Sequence, residues 1–264
     1  MAGDALTATP GLRGLVSPVA RVRIAIVLVA LLAWEGLAAS GLVIHDVVPS
    51  LVKIASALWK LLSTAPLYAN LGATLYEVAL SLVIGGVTGA IVGLVLGGNR
   101  FLGRAFEPYL HYLGPTPKII FFPIMIMWFG VGGGSKIAMG ALSCFFPVAL
   151  STAVGMRQIE PVLVRVGQSF RASTAQMVAK IYLPAMRPAM LTGLRLGLGV
   201  AVIGVLLAET KLSNRGLGYL VIQRYTNFDM PGMYAILIVV FLLAIVANAL
   251  LSRLGGSSSS ATTI

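Results

Sequence analysis

The chain has 264 residues, of which 58% are hydrophobic and only 10% charged, with a mean hydropathy of +0.95. A soluble domain carries about 25% charged residues, so this composition excludes a water-soluble globule and leaves a protein whose outer side chains face lipid. The net charge of +11 is scattered between apolar segments without interleaved aromatics, which argues against a nucleic-acid partner.

About 20 apolar residues cross the roughly 30 Å hydrocarbon core of a bilayer. On that criterion the chain reads as an all-α polytopic membrane protein of about six spans within one transmembrane domain, 24–254. Residues 1–23 form an N-terminal segment, and the first span, 24–43, holds one charge, Glu35. Arg21 and Arg23 before it mimic a secretory signal, but the apolar stretch is longer than the roughly 7–15 residues of such a signal, so it reads as a retained span. Residues 44–77 read as interfacial, with Leu51, Ile54, Leu58, Leu61 and Leu62 at helical spacing.

The second span, 78–97, is uncharged and places Gly85, Gly89, Gly93 and Gly97 on one helix face. Such a face lets another backbone approach closely, either as a sliding or subunit interface or, the favoured reading, as packing within one subunit. The third span, 109–129, contains Pro115, Pro117 and Pro123 and is expected to be kinked or broken. Irregular backbone at membrane depth is tolerated where it is buried in protein or lines a cavity, so Pro115, Pro117 and Lys118 are substrate-pathway candidates. Lys118 has an equal alternative, snorkelling to the interface.

The fourth span, 137–155, carries the single cysteine, Cys144, read as a small packing residue. The fifth, 188–208, contains Arg195 and ends at Glu209, a further pathway candidate, and the sixth is 233–251. Glu35, Arg195 and Glu209 are also readable as structural ion-pair members. The Gly-Ser run within 255–264 reads as a disordered tail.

Lys and Arg set the orientation. With the N-terminus inside, the cytoplasmic set is Arg13, Arg21, Arg23, Arg100, Arg104, Arg157, Arg165, Arg171, Lys180, Arg187 and Arg253; the outer set is Lys53, Lys60, Lys136, Lys211, Arg215 and Arg224. The bias favours both termini in the cytoplasm. His45 and His111 are isolated, so no metal site is expected, and no cofactor is expected on this chain. The absence of a GxxxxGK[ST] loop argues against ATP binding by this chain through that device, and no catalytic constellation is present.

The most specific stretch lies in the long loop 156–187. Ser173 with Gln176 is a capping-box pair, so a helix is expected to begin at Ser173; Met177, Val178 and Ile181 form its apolar face, Gln176 and Lys180 lie elsewhere on it, and Pro184 is expected to end it. This stretch resembles the cytoplasmic "EAA" loop of bacterial ABC importer permeases: EAA, three residues, Gly, then Ile-x-Leu-Pro. Here Ile181-Tyr182-Leu183-Pro184 fits the end of that pattern. The likeness continues through Thr192-Gly193-Leu194-Arg195-Leu196, Gly199, Ala208-Glu209 and Gly216-Leu217-Gly218-Tyr219-Leu220. Upstream, Pro115-Thr116-Pro117-Lys118, Pro123, Trp128-Phe129-Gly130, Ser135-Lys136-Ile137 and Phe145-Phe146-Pro147 also fit. Together these resemble the nitrate/sulfonate/taurine permease subfamily over nearly the whole chain.

The resemblance implies the type I ABC importer permease fold in a bacterial inner membrane. It implies a second permease copy, two cytoplasmic ATPase subunits that bind ATP and Mg, and an external binding protein docking on outer loops that carry Lys53, Lys60, Lys211, Arg215 and Arg224. The coupling loop would comprise Arg165, Gly167, Phe170, Arg171, Ala172, Ser173, Gln176, Lys180, Ile181, Leu183 and Pro184. Two positions depart from the pattern: Arg165 stands at the family's Glu and Arg171 at its Gly. Either the partner ATPase carries compensating acids, or the loop docks through Phe170, Ala172 and Ile181 while both arginines face water or anionic headgroups. The leading function is therefore the permease subunit, not itself an enzyme, of an ATP-driven importer for a small anion or organic solute. The alternative is an ion-coupled secondary transporter, which inverted repeats and intramembrane acids would support.

Overall fold

The computed structural model describes residues 18–41 and 47–255. The N-terminal segment up to residue 17 with Arg13, His45, the end of the expected first span and the tail beyond residue 255 lie outside the described residues. The described residues are helices and their connections, and no strand occurs among them. Among the described residues, five helices are long and apolar enough to cross a membrane, or six if one bent pair counts as a single span.

Helix α1, Pro18–Ala39, lies on the outside of the chain, with most of its apolar side chains exposed. Its far end is tied down. The Trp34 ring packs edge-on against Tyr234 at 5.3 Å, and Trp34 Nε1 donates to the Pro49 carbonyl at 3.0 Å. Glu35 accepts from the Leu51 amide at 2.9 Å, the first amide of helix α2, Leu51–Leu62. A carboxylate at a helix N-terminus offsets both the unpaired amide and the helix dipole, which accounts for a charge inside this apolar segment. The amphipathic α2 buries Ile54 and Leu61 and lies against α11, Met230–Gly255.

The interfacial segment is shorter than the periodicity suggests. Helix α3 begins already at Ala65 and runs to Gly98, 34 residues or about 50 Å at the α-helical rise. Its glycine face packs within this same chain, on α6, Gly133–Arg157. A Cβ at Gly89 would stand 2.7 Å from the Phe145 carbonyl oxygen, and one at Gly97 would stand 2.6 Å from that of Ala153. Gly85 and Gly93 meet the carbonyls of Ala141 and Ala149 in the same way. On its other side α6 receives α9, Leu183–Lys211, where a Cβ at Gly197 would lie 2.8 Å from Cys144 Sγ. The centre of the fold is therefore α3–α6–α9, held by backbone proximity through small residues, with Cys144 fully buried between them.

The third expected span is two helices. Helix α4, Arg100–Leu113, starts earlier than the hydropathy implies; a 3₁₀ turn, Lys118–Phe121, then leads into α5, Phe122–Phe129, and the two arms are bent by 93°. Pro115 and Pro117 occupy the break, where neither can donate a backbone hydrogen bond. The chain then passes through α6, α7 (Pro161–Ser169), α8 (Thr174–Met177), α9, α10 (Leu217–Thr226) and α11. Arg195, inside the fifth span, donates to the Ser252 carbonyl at 3.1 Å, a cation placed against the open carbonyls near the end of α11.

Candidate functional site

Three features could carry function. The first is the hairpin of α7 and α8. Helix α7 closes through two backbone bonds, from the Arg171 amide to the Gln168 carbonyl at 2.9 Å and from the Ala172 amide to the Gly167 carbonyl at 3.0 Å. This is the Schellman pairing, which requires a left-handed residue just past the helix, and Arg171 holds that position at φ +52°. A side chain there costs about 1 kcal/mol relative to glycine. Arg171→Gly is accordingly expected to slow amide hydrogen exchange at Ala172 by about fivefold; unchanged exchange would show the turn to be unstrained.

The second arm starts at the capping box read from the sequence. Ser173 is the N-cap: its Oγ accepts from the Gln176 amide at 3.3 Å, and its own amide donates to Gln176 Oε1 at 2.8 Å. Gly167 joins the two arms, since any Cβ there would collide with Ile181 Cδ1 and Met177 Sδ. Ile181 thus turns toward the inside of the hairpin and braces it, rather than facing outward with Phe170. Pro184 does not end the helix. Residues Val178–Tyr182 widen into a π turn, the Leu183 amide donates back to the Val178 carbonyl, and Pro184 enters the first turn of α9, where a missing N–H is tolerated. The helix expected to stop at Pro184 therefore continues to Lys211.

Phe170 projects from the tip, 82% exposed, with Arg165 and Arg171 also exposed and Ala172 half-buried. Gln176, Lys180, Leu183 and Pro184 line the outer side of the second arm, all exposed. Glu160 is the single acid between residues 156 and 187. The tip is an exposed aromatic ring between cations.

The second feature is the broken span. Lys118 is half-buried; its ammonium donates to the Gly114 carbonyl, one of the acceptors freed by the break, and stands 5.0 Å from the centre of the Phe146 ring. It lines a cavity of about 410 Å³ with Thr116, Phe121, Trp128 and Phe146. Pro115 and Pro117 are exposed beside it.

The third feature is a buried polar network that the sequence reading did not assemble. Glu209 is 1% exposed, with Thr74 Oγ1 donating to Oε1 at 2.7 Å and the Gly218 amide donating to Oε2 at 2.6 Å. The Leu217 amide donates to Thr74 Oγ1 at 2.8 Å, and the Gly216 amide to Asn70 Oδ1 at 2.7 Å. These are the open amides at the start of α10, so a carboxylate belongs there. Gly216, at φ +104°, leaves room that the Glu209 carboxyl fills. Glu77 adjoins the network, with Arg215 Nε 3.9 Å from its Oε1. Lys136, counted in the outer set of cations, is 1% exposed and donates to the carbonyls of Val131 and Gly132. In this conformation Glu209 is a fastening of α10 to α3 and α9 rather than an open pathway residue. Asn70, Thr74, Glu77 and Ser81 recur every three or four residues, a polar stripe entering an apolar helix, and that spacing was the available signal.

With these features in place, comparison with known proteins decides the family. The family of binding-protein-dependent transport system inner membrane components matches residues 85–256. The chain belongs to that family. The taurine transport system permease protein TauC of Escherichia coli is 35% identical over 194 residues, covering 72% of this chain and 70% of TauC. The nitrate import permease protein NrtB of Synechococcus elongatus is 26% identical over 221 residues, covering 80% and 79%. A solved structure of the MetNI methionine ABC transporter shares the fold, with a TM-score of 0.58 and 19% identity over 72% of this chain and 97% of that one. The protein is thus a multi-pass inner-membrane permease subunit with the type I ABC importer permease fold, and the expected fold and subfamily hold.

Proposed function

We propose that this permease forms the pathway of an ATP-driven importer for a small anion of the taurine, sulfonate or nitrate type. It pairs with a second copy of itself, two cytoplasmic ATPase subunits that bind ATP and Mg, and an external binding protein that delivers the substrate. Both termini lie in the cytoplasm, following the bias of Lys and Arg. The observation that carries the reading is the preformed 156–187 hairpin with Phe170 at its tip, a docking element continuous with the long helix α9. Closure of the ATPases on ATP would move that hairpin, and α9 would carry the movement into the bundle. The broken span around Lys118 is the pathway segment, and release of its ammonium from the Gly114 and Thr116 carbonyls would offer a cation to a passing anion.

The test is to assemble permease, ATPases and binding protein and to screen small anions for stimulated ATP hydrolysis. Taurine or a related sulfonate should stimulate. Lys118→Met should weaken that stimulation about tenfold, the scale of one hydrogen bond to a charged group; undiminished stimulation would take Lys118 out of the pathway.

A further inference from the structure

A second polar site lies at the junction of α4 and α6. Arg100, Arg104, Glu107 and His111 are spaced four, three and four residues apart and form one stripe along α4. Facing the stripe is Arg157 at the end of α6, and between them is a hollow of about 450 Å³ lined by Gly103, Arg104, Glu107, His111, Tyr112 and Arg157. Arg157 Nη2 pairs with Glu107 Oε2 at 2.7 Å. The pair uses one edge of the Arg157 guanidinium, which carries five N–H donors. Arg157 can therefore still donate to an occupant beside Arg104, the unpaired positive charge of the lining, with His111 and Tyr112 as further hydrogen-bonding groups. The other Glu107 oxygen, Oε1, is buried and accepts no hydrogen bond from any described residue. Gly103 borders that oxygen, where a Cβ would come within 3.2 Å of it.

The hollow therefore makes two demands of an occupant: a negative group for Arg104 and Arg157, and a donor for Glu107 Oε1. A phosphodiester bearing hydroxyl groups meets both. The rest of α4 says where such a group comes from. Phe101 is 77% exposed, Tyr109 63% and Tyr112 80%, aromatic side chains turned outward on a helix of a membrane protein, which is how rings sit at the headgroup level of a bilayer. We propose that this hollow binds the headgroup of an anionic, hydroxyl-bearing phospholipid of the phosphatidylglycerol kind. The phosphate sits between Arg104 and Arg157, a headgroup hydroxyl donates to Glu107 Oε1, and the acyl chains run along the aromatic side of α4.

The experiment places the full chain in nanodiscs with equal phosphatidylglycerol and phosphatidylcholine and counts retained lipids by native mass spectrometry. The wild type should retain phosphatidylglycerol preferentially. Arg104→Gln, an exposed position whose loss leaves the Arg157–Glu107 pair intact, should reduce that preference by about fivefold, the factor one cation contributes near an anionic headgroup. Equal retention of both lipids by the wild type, or an unchanged preference in Arg104→Gln, would overturn the site. Phosphatidylmethanol, a phosphodiester of the same charge without headgroup hydroxyls, should be retained more weakly than phosphatidylglycerol; equal retention would refute the role of Glu107. Soluble glycerol phosphate should leave the thermal unfolding of delipidated protein unchanged while phosphatidylglycerol raises it. Stabilisation by glycerol phosphate equal to that by the lipid would mean that the hollow takes a soluble phosphate and that the lipid assignment is wrong.

Discussion

Phe170→Asp is expected to leave the permease folded and to cut it off from ATP hydrolysis. The ring is 82% exposed at the hairpin tip, outside every packed core cluster described, so its loss removes nothing that holds the bundle together. The turn beneath it rests on backbone bonds from Arg171 and Ala172, which an aspartate leaves in place. An aromatic anchor at the centre of an interface contributes about 2–4 kcal/mol, so association with the ATPases should weaken by roughly 30- to 1000-fold. Two measurements separate this from misfolding: co-elution of permease and ATPases should be lost, while the thermal midpoint of the isolated permease stays at the wild-type value. Substrate-stimulated hydrolysis that survives intact would mean that the hairpin docks without its knob.

Glu209→Ala should do the reverse, damaging the fold first. Its carboxylate accepts from Thr74 and Gly218 where neither can reach water. Removing it orphans these two buried donors, at a cost of about 2–5 kcal/mol. The purified variant should unfold well below wild type and lose the seating of α10. Glu209→Gln keeps one carbonyl acceptor and should recover part of the loss, because the geometry survives without the charge. An alanine variant within about 0.5 kcal/mol of wild type would show that the network contributes little.

These expectations rest on features of very different legibility. The capping box at Ser173 could be read directly because it is local: two side chains and two amides within four residues. The glycine face of α3 was legible as a packing surface, but spacing alone could not name its partner, and only the tertiary fold shows α6 of the same chain against it. Pro184 misled because a proline was weighed against an ideal α-helix, whereas a π turn re-pairs the carbonyls before it and carries the helix on. Lys136 misled for a related reason: it lies just before an apolar run, where the charge count places it in the outer set, but α6 already begins at Gly133 and packs it inside the fold. The Glu209 network joins residues 135 positions apart, so its members were visible singly and not as a set.

The reading of Arg171 gained most from the structure. At the sequence level it is a departure from a glycine motif, and a glycine permits a tight turn that a side chain can hinder. The backbone shows the turn formed with the arginine in the left-handed region, so the loop keeps its shape and adds a cation at its tip.

The central claim is that transport through this permease is driven by ATP hydrolysis in partner subunits. The direct measurement is uptake of labelled taurine or nitrate into proteoliposomes that hold the permease with its ATPases and binding protein, with and without ATP. Uptake should require ATP, both partners and an intact Phe170. Uptake driven by a proton or sodium gradient through the permease alone, with no ATPase present, would contradict it.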